Sequence, residues 1–139
     1  MATITVPAHV NHLDAVLAFI SDTMHNVQLD AGQRNSIIIS SEEVFVNISN
    51  YAYTDGEGDV TINISVVPEK VTIMFKDSGI PYNPLLREDP DISLTAEERE
   101  IGGLGILMIK KMMDDVCYEY NDGYNILTIL KSLKSEVQA

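Results

Sequence analysis

Basic residues are scarce: nine Lys and Arg stand against 21 Asp and Glu, a formal net charge of −12 over 139 residues. Affinity for a phosphate backbone comes from neutralising it with Lys and Arg, so the charge argues against non-specific nucleic-acid binding and favours a basic protein partner. Cysteine is nearly absent as well. Cys117 alone can form no internal disulfide, and in an apolar stretch with no neighbouring histidine it reads as buried packing, not as a nucleophile. No apolar run approaches the roughly 18–20 residues that cross a bilayer, and Met1-Ala2-Thr3-Ile4-Thr5-Val6 lacks the basic and apolar blocks of a secretion signal. These absences predict a soluble, cytoplasmic protein that touches neither membrane nor nucleic acid directly. There is no G-x-x-x-x-G-K-[ST] loop and no G-x-G-x-x-G following a strand, which excludes the P-loop and dinucleotide ways of holding phosphate. His9, His12 and His25 have no acid or cysteine arranged around them as a metal site, and they read as surface histidines.

What the chain does have is apolar residues, 45% of the total, enough for the core of a single domain over residues 1–139. Thr3-Ile4-Thr5-Val6 alternates as a short strand that Pro7 stops. From about residue 8, Leu13, Val16, Leu17, Ile20, Met24 and Val27 recur at helical spacing, predicting a helix to about Leu29. Asp30 is placed to cap a second helix, whose face carries Ile37, Ile38, Ser41, Val44, Phe45, Ile48 and Ala52. Alternating Val60 to Val66 and Val71 to Phe75, joined at Pro68-Glu69, predict a hairpin. A long stretch rich in Pro, Asp and Glu then runs from about Gly79 to Ile101, the length of a functional lid. A third helix starts near Gly103 with Leu104, Leu107, Met108, Lys111 and Met112, and Asn121-Asp122-Gly123-Tyr124 joins a last hairpin. Helices segregated from a mixed, mostly antiparallel sheet imply an α+β, two-layer α/β sandwich with the helices on one face.

Three features on this frame could carry chemistry. Glu43 and Asn47 lie four apart and share a helix face, where an amide oxygen suits Mg²⁺ and a carboxylate can take a proton from an attacking hydroxyl. Asp77-Ser78-Gly79 leaves the end of a strand, where a carboxylate can accept from an exocyclic amine and a glycine lets a flat ring approach the backbone. Gly102-Gly103-Leu104-Gly105 opens a helix, where bare N–H groups and the helix dipole favour phosphate. Singly, these are equally a solvated helix face, a strand-ending turn and a hinge.

Their order along the chain is more specific, and it resembles the GHKL ATPase superfamily. Within that superfamily the likeness is to the serine-kinase anti-sigma factors of bacterial sporulation and general-stress switches. Ser41-Glu42-Glu43-Val44-Phe45-Val46-Asn47-Ile48-Ser49-Asn50-Tyr51-Ala52-Tyr53 is similar to the family's Glu-Ala-x-x-Asn-Ala-x-x-His-Ala-Tyr helix, with Tyr51 in place of the histidine. Asp77-Ser78-Gly79-Ile80-Pro81-Tyr82-Asn83-Pro84 is similar to its Asp-x-Gly-x-Pro-Phe-Asp-Pro segment. Gly102-Gly103-Leu104-Gly105 through Met113-Asp114-Asp115-Val116 is similar to its Gly-Gly-Leu-Gly and Met-Asp-Glu-Val segments, although no basic residue directly precedes the glycines.

The resemblance implies a Bergerat-type ATP-binding fold with an ATP lid over about residues 83–101. It implies that Glu43 is the general base of a protein serine/threonine kinase, and that Asn47 holds Mg²⁺ beside ATP. Asp77 would read the adenine amine with Gly79 making room, and Gly102, Gly103, Leu104 and Gly105 would meet the phosphates. The implied substrate is a serine on a small antagonist protein of the anti-anti-sigma type, the implied target a sigma factor, and the implied assembly a homodimer. The alternative is a nucleotide-gated protein-binding regulator without kinase activity.

Overall fold

The computed structural model describes residues 1–53, 57–86 and 103–133. Along the chain come β1 (Ala2–Pro7), a 3-10 turn (Val10–His12), α1 (Leu13–Thr23), α2 (Ala31–Tyr51), β2 (Asp59–Val67) and β3 (Lys70–Asp77). A second 3-10 turn (Pro84–Leu86) precedes α3 (Gly103–Met112), β4 (Asp115–Asn121) and β5 (Tyr124–Ser132). The acidic part of the expected lid, with Gly102, lies outside the described residues.

The strands form one sheet in the order β1-β2-β3-β5-β4, and among the described residues all four ladders are antiparallel, where a mixed, mostly antiparallel sheet was expected. Register explains the core. Ile4, Ile62, Phe75 and Leu127 face each other across four strands, and Ile64, Ile73 and Ile129 make the adjacent row. Because side chains alternate along a strand, these rows share one face. The opposite face presents polar partners such as Thr5 with Thr61 and Thr3 with Asn63. Helices cover the apolar face, bringing Val16, Ile20, Met24, Ile37, Val44 and Phe45 into the same buried cluster. The architecture is an α+β, two-layer sandwich.

Local chemistry sets where the helices begin and end. Asp30 accepts from the Gln33 N–H at 2.6 Å while the Gln33 side chain accepts from the Asp30 N–H at 3.1 Å, a reciprocal capping box that fixes the start of α2. The first helix is shorter than its apolar spacing predicts. His9 caps a separate 3-10 turn ahead of it, and after Thr23 the chain tightens into three-residue bonds, Met24 to Ser21 and Val27 to Met24, each 3.2 Å. Met24 still packs into the core from that turn, which is why its spacing looked helical. In α3 the buried residues are Ile106 and Ile109, with Met113 buried just after its end, whereas Met108 is exposed. Cys117 also departs from expectation: it is exposed on β4, on the face opposite the core. Its thiol donates to Asp115 at 3.4 Å, and that bond, followed by slight burial and the Asp115 charge, holds its pKa above the ordinary thiol value. A thiol so held is a poor nucleophile.

The last hairpin turns at Asp122 and Gly123, with φ of 53° and 85°. Two consecutive positive values are the signature of the tight turn that matches strand twist, and an Asp-Gly pair adopts it at little cost.

Candidate functional site

On β3 the inward positions run Val71, Ile73, Phe75 and then Asp77, and on β5 they run Ile129, Leu127 and then Asn125. Each strand thus ends its buried row on a polar residue. Since Asp77 and Asn125 are register partners, the two meet at one end of the sheet, 4% and 7% exposed. Burying a carboxylate and an amide is costly unless both are hydrogen-bonded, and here they bond each other, Asn125 Nδ2 donating to Asp77 Oδ1 at 3.0 Å. The same Asp77 oxygen accepts from the Gly79 N–H at 2.9 Å.

Asn125 does more than pair with Asp77. Its Nδ2 donates to the Ile80 carbonyl at 2.9 Å, and its Oδ1 accepts from the Tyr82 N–H at 3.2 Å and from the Tyr118 hydroxyl. One side chain therefore ties β3, β4, β5 and the segment after β3 together. Burial raises the pKa of the Tyr118 phenol, the Tyr82 backbone bond opposes this, and the Asp77 carboxylate adds to the rise, so the hydroxyl keeps the proton it donates.

The segment after β3 is fastened to α2 as well. The Ile80 N–H donates to the Ala52 carbonyl at 2.8 Å, satisfying an acceptor that the end of a helix leaves open. Gly79 permits that approach, because a Cβ there would overlap the Ala52 carbonyl and lie 2.6 Å from its carbon. The space beside Gly79 is thus filled by the protein's own backbone; the glycine is required for packing, where the sequence suggested room for a ring. Tyr53 adds a further tie, its hydroxyl donating to the Asp59 carbonyl at 2.5 Å and accepting from the Ser78 N–H at 3.0 Å.

Above this floor opens a cavity of about 520 Å³, its open mouth included, between α2, α3 and the end of the sheet. Val44, Ile48, Ile80, Ile106 and Leu127 give it apolar walls, while Asp77, Asn125 and Asn47 are polar points on them. An apolar slot with a few placed polar groups is the general form of a small-molecule site. Tyr51, one turn beyond Asn47, lines the same space and is 39% exposed.

The predicted residues are distributed unequally around it. Asp77 and Asn47 line the cavity, and Gly79 closes the turn beside Asp77. Glu43 is half-buried one turn before Asn47 on α2, outside the cavity lining. Its carboxyl is pushed above the ordinary glutamate pKa, first by burial and then by the neighbouring Glu42 charge. The amide nitrogen of Asn47 is buried without a hydrogen-bond partner among the described residues, so the fold leaves that amide uncommitted. Gly103, Leu104 and Gly105 form the first turn of α3, and Ile106, which follows them, lines the cavity with Asn47. The start of α3 and the C-terminal part of α2 therefore border one space. Gly102 lies outside the described residues.

Asn125 and Tyr118 were not singled out from the sequence. A signal existed for Asn125: it is a polar residue in the inward phase of an apolar strand, as Asp77 is.

Comparison with known proteins agrees with this geometry. The family profile described as the histidine kinase-like ATPase domain matches residues 6–131. The chain belongs to that family. ATP is the nucleotide such a family name implies, and the buried carboxylate, apolar slot and uncommitted amide provide fitting contacts. Among relatives, a serine-protein kinase RsbW of Bacillus mycoides (strain KBAB4) is 22% identical over 126 residues, covering 88% of this chain and 79% of that one. The serine/threonine-protein kinase BtrW of Bordetella bronchiseptica is 24% identical over 97 residues, covering 69% of this chain and 68% of that one. Among solved structures, the RsbU and RsbW domains of Rv1364c from Mycobacterium tuberculosis overlay with a TM-score of 0.65 at 14% identity, over 97% of this chain. This chain spans 34% of that larger one. The mycobacterial sensor histidine kinase MprB overlays with a TM-score of 0.54 at 15% identity, over 94% of this chain and 97% of its own. At these identities the overlays speak for the fold alone.

No helix among the described residues is long and apolar enough to cross a membrane.

Proposed function

We propose that this histidine kinase-like ATPase domain is an anti-sigma factor with serine-kinase activity: it binds ATP, transfers the γ-phosphate to a serine of a small antagonist protein, and sequesters a sigma factor. The observation that carries the ATP part is Asp77, a buried carboxylate held at the floor of an apolar cavity. The kinase part is supported by Glu43 one turn from Asn47 on α2, and by relatives that bear the name serine-protein kinase.

In this reading Asp77 accepts from the amine of the base, and the apolar walls take its rings. Asn47 and the start of α3 face the phosphate end, where bare N–H groups favour negative charge. Mg²⁺, held through Asn47, would neutralise phosphate charge in a chain that offers little positive charge of its own. Glu43 takes the proton from the serine hydroxyl as its oxygen bonds the γ-phosphorus and the bond to the bridging oxygen breaks, giving phosphoserine and ADP. A base must be deprotonated to act, so the raised pKa of Glu43 places the acid limb of the rate profile above the ordinary glutamate value.

Because Glu43 stands outside the cavity lining, a regulator that binds nucleotide without transferring phosphate is the second reading. Incubation with Mg·ATP and a candidate antagonist separates the two. Phosphoserine that forms with the native chain and is lost in Glu43→Gln supports the kinase. Nucleotide binding without transfer, to an antagonist shown to bind, leaves the regulator.

A further inference from the structure

A buried amide is informative when its orientation is forced, and that of Asn125 is forced twice. The Tyr82 N–H can only donate and the Ile80 carbonyl can only accept, so the oxygen must face Tyr82 and the nitrogen must face Ile80. Turned over, the amide would set donor against donor and acceptor against acceptor. In this orientation the second Nδ2 hydrogen reaches Asp77 Oδ1. A carboxylate oxygen has two lone-pair directions, and those of Oδ1 are both taken, one by Asn125 and one by the Gly79 N–H. Asp77 Oδ2 accepts from none of the described residues.

We propose that Asn125 is the positioning residue that sets which base the cavity accepts, by occupying Asp77 Oδ1 and leaving a single carboxylate oxygen for ligand. The inference rests on the nucleotide reading above and deepens it. Guanine presents N1–H and N2–H side by side, a pair that a carboxylate meets with both oxygens. With Oδ1 filled, one of these donors is left unpaired in a buried site, which weakens binding. Adenine presents one amine beside ring-nitrogen acceptors and asks only for Oδ2. Asn125 thus discriminates through Asp77, and Tyr118 supports it from β4 through the hydroxyl that donates to the Asn125 oxygen.

A merely structural role would weaken all nucleotides alike, so the ratio of affinities is the decisive readout. The experiment measures Mg·ATP binding to the full chain by calorimetry, and Mg·GTP by its displacement of a fluorescent ATP analogue. The comparison covers the native protein, Asn125→Leu and Tyr118→Phe. Releasing Oδ1 in Asn125→Leu is expected to weaken ATP and spare or strengthen GTP, so that the ATP preference narrows by about tenfold, the worth of one such bond. Tyr118→Phe, which leaves the Tyr82 bond in place, narrows it by about threefold. If Asn125→Leu does not fold, Tyr118→Phe decides. Equal loss of ATP and GTP affinity, with the ratio unchanged, overturns the proposal and leaves the nucleotide reading standing. Failure of the native chain to bind ATP at all sinks that reading, and the role of Asn125 with it.

Discussion

The two ends of the cavity are built on opposite terms. At the sheet end, Asp77 and Asn125 have bonds to each other and to four neighbouring residues, and Gly79 lies against Ala52 without space for a methyl group. On α2, the amide nitrogen of Asn47 is buried without a partner among the described residues, and one turn earlier, outside the cavity lining, Glu43 holds its proton more tightly than usual. Polar groups bonded on several sides hold one geometry, whereas a buried group without a partner costs stability. Shape at the sheet end is thus fixed by the fold, and on α2 the Asn47 amide is left uncommitted.

That contrast can be broken most easily at Gly79. Replacement by Ala drives a methyl group into the Ala52 backbone, which has no rotamer to give, and should cost about 3 kcal/mol, lowering Tm by on the order of 10 °C. A near-native urea melt would show that the turn is looser than described. Next come the two asparagines. Asn125→Ala leaves Asp77, Tyr82 and Tyr118 short of a partner and should cost about 2 kcal/mol, while Asn47→Leu, which removes an uncommitted amide and keeps its bulk, should stay within about 0.5 kcal/mol of the native chain. Equal costs would erase the distinction between the two ends.

A small, pH-dependent effect is expected at Glu43. Its pKa is higher folded than unfolded, so the native state holds the proton longer, and stability relative to a neutral residue falls as pH rises from the unfolded value through the folded one. Glu43→Gln should therefore gain stability at pH 7, by less than about 1 kcal/mol for a partly exposed group, and lose the gain when pH drops below the ordinary glutamate value. Melting curves at pH 4 and pH 7 test the sign.

Much of the frame was legible because local rules spoke alone. Asp30 and Gln33 announce their cap, Asp122-Gly123 its turn, and the alternation in β2, β3 and β5 the buried face. Asp77 and Asn47 could be found because they stand in ordered motifs. What escaped depends on register and on distant contacts. Asn125 becomes informative only once β5 is paired with β3, and the packing role of Gly79 only once the end of α2 is known to lie against it. The helix expected to reach Leu29 failed for a related reason, since Met24 reaches the core from a tight turn as well as it would from a helix. Cys117 looked buried because its neighbours are apolar, but β4 alternates and sends it to the outer face.

Asp77→Asn tests the central claim most directly. The substitution keeps an oxygen to accept from Gly79 and Asn125, so the fold is preserved, yet it turns the free oxygen into an amine that opposes the amine of adenine. In a thermal-shift titration with Mg·ATP the native chain should gain Tm progressively with ligand concentration, as binding to the folded state alone requires, while Asp77→Asn should melt at a constant temperature. Equal shifts in both proteins, or none in either, would contradict a nucleotide site founded on Asp77.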